Sequence, residues 1–164
     1  MSVHASDKAP QPILWGNYNI FAYIPDVPGF AAKVLFHCLS HQEWGGRIVQ
    51  SQQEIADWLG VSRSLVQKGL HHLQLARILL REGNGVYRMN PMVAAFPTAA
   101  EADQAIRTMD RAYRLDTADF ADRYERAVVE HEAAVKQKAA ARALPQAPAD
   151  LAAHRQRKRP APKG

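Results

Sequence analysis

Arg63, Ser64, Gln67, Lys68 and His71 recur at intervals that bring them to one face of a helix. Ser62 stands immediately before them. These are residue types that can read the edges of stacked base pairs. Arg and Lys donate to the N7 and O6 acceptors of guanine, Gln pairs with adenine, and a Ser hydroxyl reaches base edges or phosphate. The same composition also describes an ordinary solvated helix face, so the neighbouring elements must decide between the two.

Those neighbours form a recognisable series. Ser51 and Glu54 make an S-x-x-E capping box, which starts a helix. Ile55, Trp58 and Leu59 follow on one face, and Ala56 is small where a second helix must cross. Gly60 can end that helix in the left-handed conformation, and Val61 fills the space under the turn. Ser62 caps the next helix, whose apolar stripe is Leu65, Val66, Leu70 and Leu73. Two helices joined by so tight a turn are a helix-turn-helix, and its second helix carries the polar face described above.

A hairpin comes next. Ile78 to Arg81 and Val86 to Met89 are short β-prone runs, and Glu82-Gly83-Asn84-Gly85 between them is a turn signal. Arg81, Asn84 and Arg88 are the hairpin residues expected to reach a nucleic-acid backbone or minor groove beside the second helix. An ordinary hairpin that only caps the core is the alternative.

The expected fold is therefore mainly α with a small β-hairpin wing: a winged helix-turn-helix followed by a long C-terminal helix. The turn resembles the winged-helix domains of MarR-type transcriptional regulators. The run Gly85-Val86-Tyr87-Arg88-Met89-Asn90-Pro91 also resembles the wing exit of RepL-type plasmid replication initiators, where a hydrophobic strand ends in Asn-Pro. The two resemblances cover roughly residues 30 to 96. They imply that Ser62, Arg63, Ser64, Gln67 and Lys68 face bases or phosphates, and they carry over no catalytic residue. One position departs from the pattern. Arg77 stands where such domains usually have glycine, so the exit from the second helix is expected to differ in shape.

Composition sets broad bounds. The chain has 164 residues, one cysteine and a formal net charge of +5. The excess charge favours a polyanionic partner, and most of it sits in residues 143–164, where Arg155, Arg157, Lys158, Arg159 and Lys163 face only Asp150. A lone Cys38 excludes an intramolecular disulfide and suits a reducing cytoplasm. The polar, proline-containing start does not read as a secretory signal, and no apolar run reaches the roughly 18 residues that a membrane span needs.

Along the chain, residues 1–12 are expected to be disordered. Residues 13–29 form an aromatic arm with Trp15, Tyr18, Phe21 and Tyr23, which completes the core or packs on a second subunit. The arm holds no Lys or Arg, so it lacks the basic groove that base stacking requires. A first helix runs from about Phe30 to Gln42, and Arg47 to Gln50 form a short strand that pairs with the wing. Residues 97–142 are a helical extension. Thr98 and Glu101 begin one helix there, with Ile106, Met109 and Tyr113 facing inward.

Asp116 to about Arg142 reads as a single long helix with acids at its start and bases at its end. Its narrow stripe of Phe120, Tyr124, Ala127, Val128, His131 and Val135 suits a partner helix from a second copy, hence a homodimer. Folding back on its own domain is the alternative. From residue 143 on, a disordered basic tail is expected, either adding salt-sensitive phosphate attraction or merely solubilising the chain.

Enzymatic chemistry is not expected. His37, Cys38 and His41 fall short of a closed zinc site, and Cys38 reads as core. No phosphate-binding glycine loop, metalloprotease helix or nucleophile elbow is present. No metal and no cofactor are expected. The leading expectation is sequence-specific binding of double-stranded DNA by a dimer, in plasmid replication or its control. A MarR-like repressor is the alternative use, and an assembly module that binds protein is the rival from another class.

Overall fold

A computed structural model describes residues 25–143. The aromatic residues of the N-terminal arm and the basic tail beyond Ala143 lie outside this range. In chain order the elements are α1 (Gly29–His41), β1 (Arg47–Val49), α2 (Gln52–Leu59), α3 (Arg63–Leu75), β2 (Leu79–Gly83), β3 (Val86–Met89), α4 (Ala99–Thr108), a 3-10 turn (Arg111–Tyr113) and α5 (Phe120–Ala143). The three strands form one antiparallel sheet in the order β1-β3-β2. The protein is a winged helix-turn-helix with a further helical region and a long last helix, mainly α as expected.

Local sequence explains the turn. Glu54 accepts the Ser51 backbone N–H at 2.6 Å, while Ser51 Oγ accepts the Glu54 N–H at 3.2 Å. This reciprocal box satisfies two donors that a helix start leaves open. Hydrogen bonding to Ser51 also holds the Glu54 carboxyl below its usual pKa. Gly60 ends α2 at φ 65, ψ 35, a conformation that costs glycine nothing. Ser62 Oγ then accepts the Leu65 N–H at 3.3 Å and starts α3.

α3 is the central element. It packs on α1 and α2 and leads directly into the wing. Gly69 permits the closest part of the α1–α3 crossing: a Cβ there would sit 2.8 Å from Val34 Cγ2. Glycine inside a helix costs about 1 kcal/mol relative to alanine, which the packing of Val34, Leu35, Val66, Leu70 and Leu73 must offset.

One helix face differs from expectation. Trp58 does not join Ile55 and Leu59 inside; it is 64% exposed. Ile55 and Ala56 already occupy the inner face of this two-turn helix, which leaves Trp58 at its margin against the edges of the His37 and His41 rings. Those histidines stack with centroids 4.1 Å apart, and His37 Nε2 lies 2.8 Å from Gln50 Oε1. Burial pushes the His37 pKa down and the Cys38 thiol up to about 12. The pair packs and hydrogen-bonds, and no group of three potential metal ligands converges among the described residues.

The C-terminal region also departs from the expected bounds. α4 ends at Thr108, so Tyr113 lies on the 3-10 turn and not on the stripe of one helix with Ile106 and Met109. α5 begins at Phe120, not Asp116, because Arg114 draws the Asp116 carboxylate into a two-pronged ion pair before the helix starts. At 24 residues it is about 36 Å long.

The chain divides into two units, one ending at Val128 and the other starting at Val129. Phe120 and Tyr124 belong to the core of the first unit, which thus extends well past residue 96. This corrects their expected place on a face open to a second copy: they complete their own domain, and Val128 packs against the same core. In the second unit, Val129 and Val135 are exposed and His131 is half-buried.

Candidate nucleic-acid interface

The polar face of α3 is exposed. Arg63, Ser64, Gln67 and Lys68 are open to solvent, and His71 one turn further on is half-buried. Ser62 is exposed too, but its hydroxyl is already engaged with the Leu65 N–H and, at 3.0 Å, with Ser64 Oγ. It therefore fixes where α3 begins, and Arg63 is the first long side chain of the helix.

The wing rises beside this face. Register pairs Arg81 with Tyr87 and Arg88 with both Leu80 and Arg47. Successive residues of a strand point to opposite sides, so Arg81 and Arg88 leave the hairpin in opposite directions. Arg81 faces the same side as buried Tyr87, toward α3. Its guanidinium donates to Gly83 O at 3.2 Å and Asn84 Oδ1 at 3.3 Å, which ties the two polar residues of the wing tip together. Arg88 lies on the outer face, half-buried, in an ion pair with Glu82 that holds the Glu82 carboxyl below its usual pKa. The structure thus separates Arg88 from the other expected contact residues.

A cleft of about 480 Å³ lies between α3 and the wing. Arg63 and Gln67 line it from the helix, Arg81 and Asn84 from the wing, with Tyr87 at the base. Ser51, Gln52 and Gln53 at the start of α2 complete the wall. Sequence reasoning did not assign these three a binding role. Their signal was present in the capping box, which places exposed amide donors of a helix N-terminus at that point. Ser64, Lys68 and His71 do not line the cleft and sit elsewhere on the α3 surface.

No carboxylate lines the cleft, while two arginines do. The arrangement offers two arginine cations, four side-chain amides and the positive end of a helix. These groups match phosphate oxygens and base edges.

The wing tip is braced from behind. Gln50 N donates to Gly85 O at 2.9 Å, while the Gln50 side chain meets His37 on α1.

The stripe expected to meet a second copy is largely covered: Phe120 and Tyr124 are buried in their own domain, and Val128 packs against the same core. Among the described residues, no helix is long and apolar enough to cross a membrane.

No curated protein and no solved structure matches the chain. A family model described as Firmicute plasmid replication protein matches residues 22–138, which include the wing, its Asn-Pro exit and most of α5. The chain belongs to the RepL family of plasmid replication proteins.

Proposed function

We propose that this protein binds duplex DNA in a sequence-specific manner to initiate or control plasmid replication. α3 enters the major groove, which is wide enough to admit a helix, and the wing lies along the adjacent backbone. Arg63 and Gln67 read base edges. Arg81, Asn84 and the start of α2 hold phosphates and set the register. Ser64 and Lys68 contact the far wall of the groove, whereas His71, expected beside them, has its Nε2 buried within the protein. The protein catalyses no reaction itself. The observation that carries this reading is the cleft that joins two arginines and four amides from separate elements without a carboxylate.

Two copies act together, joined through the last helix beyond Val128, where Val135 is exposed. With so little apolar surface there, association is weak in free solution and is strengthened by two adjacent half-sites on DNA. Dimer binding calls for half-sites about 34–36 Å apart, one helical turn.

Selection of bound fragments from random duplex DNA, followed by selection from plasmid DNA, tests the proposal. An enriched motif with repeated halves, located in a replication origin, is the expected result. Enrichment of a promoter alone would assign the surface to transcription regulation, and no enrichment over random duplex would refute sequence-specific binding.

A further inference from the structure

We propose that Asn90 and Arg77 form a positioning device that sets the angle between α3 and the wing, and with it the sequence selectivity of the DNA surface. The inference rests on the DNA-binding reading above. Asn90 is 1% exposed. Its side-chain amide donates to Arg77 O at 2.9 Å and to Tyr113 O at 2.8 Å, and its Oδ1 accepts the Met92 N–H at 2.9 Å. One amide therefore joins three segments: the exit of α3, the exit of the wing and the turn before α5.

Only three residues separate α3 from β2, so their backbone angles set the direction of the wing together with the pairing of β3 to β1. Arg77 adopts φ 54, the sole positive φ among the described non-glycine residues. The left-handed conformation crowds the Cβ of any residue but glycine, and it persists where its surroundings over-determine it. Those surroundings are specific. The Arg77 N–H donates to Gln74 O at 2.9 Å, its guanidinium donates to Ala112 O and lies over the Tyr113 ring, and Asn90 holds its carbonyl. Arg77 thus keeps, by tertiary contacts, a backbone shape that glycine would adopt unaided.

The leverage is large. β2 has five residues, so the wing tip stands about 15 Å from this knot. A 10° change at Arg77 would displace the tip by about 2–3 Å, enough to break hydrogen bonds whose tolerance is a few tenths of an ångström. Phosphate attraction tolerates such a shift, whereas base readout by Arg63 and Gln67 does not.

The test compares Asn90→Ala, Arg77→Gly and Arg77→Val with the parent protein. Binding is measured on the selected site and on unrelated duplex, and backbone-amide residual dipolar couplings report the orientation of the wing relative to α3. Asn90→Ala is expected to lower the ratio of specific to unspecific affinity at least about tenfold while unspecific affinity stays within about twofold. Arg77→Gly should keep both the ratio and the couplings. Arg77→Val removes the same guanidinium but resists positive φ, and should lose both; this pair decides the matter if Asn90→Ala fails to fold. Equal selectivity and equal couplings in the two Arg77 variants would overturn the proposal. A parent protein with no preference among duplexes would instead refute the DNA reading, while the couplings would still report whether the knot sets the angle.

Discussion

Arg81 and Arg88 have the same charge, lie on the same hairpin and differ in the side of the sheet they occupy. Replacing each with alanine therefore tests the geometry with composition held constant. Each phosphate contact contributes about 0.9 to the slope of log affinity against log salt. Losing one should reduce affinity roughly eightfold at 0.1 M salt, or about 1.2 kcal/mol. Between 50 and 200 mM salt the same contact accounts for about a 3.5-fold change. Arg81→Ala should show this loss on every duplex, since Arg81 faces the cleft. Arg88→Ala removes an ion pair with Glu82 whose partners are 41% and 36% exposed, a solvent-screened contact of little consequence for stability, and should leave DNA affinity and salt slope unchanged. Fluorescence anisotropy of a labelled duplex across that salt range measures both quantities. An equal loss from the two substitutions, or a larger loss from Arg88→Ala, would refute the assignment of faces.

Other expectations follow from single features of the structure. Arg63→Ala should cost roughly 1–3 kcal/mol on the selected site and relax preference at one base pair, which repeated selection with the variant would reveal. Gly69→Ala gains about 1 kcal/mol of helix propensity but places a Cβ 2.8 Å from Val34 Cγ2; the net effect in urea unfolding should be destabilising, and Val34→Ala should reverse it. Burial lowers the folded pKa of His37, so its contribution to stability is full above the unfolded value near 6.5 and falls as pH drops toward the folded value. The unfolding midpoint should accordingly fall on acidification below that value, and less steeply in His37→Gln. Removing residues 143–164 should weaken binding to every duplex and flatten its salt dependence, as measured in the same anisotropy assay.

Much of the helix-turn-helix was legible because its determinants are local. Ser51 with Glu54, Gly60 and Ser62 each act within four residues of themselves, and each performs in the structure the role its spacing implies. Features set by distant partners were not legible. Gly69 is explained only by Val34 on α1, and the backbone of Arg77 only by Asn90, Ala112 and Tyr113. The shape expected to change at Arg77 is held by those contacts in the left-handed form. The Asn-Pro sequence marked the wing exit, but the reason for the asparagine lies in two carbonyls 13 and 23 positions away.

The candidate site divides along the same line. Arg63 and Gln67 could be placed on one helix face from period alone. That Arg81 joins them while Arg88 faces away depends on strand register, which a turn signal does not specify. Phe120 and Tyr124 illustrate another limit. An apolar stripe shows that a helix face is covered, but not whether its own domain or another copy covers it, and here its own domain does.

The measurement closest to the central claim is amide chemical-shift mapping of the intact protein on titration with its selected duplex. Shifts should concentrate at Arg63–His71 on α3, at Arg81–Gly85 on the wing and at the start of α2, leaving Arg88 and Trp58 unaffected. Shifts confined to the outer sheet face or to the surface around Trp58, with α3 silent, would contradict the account.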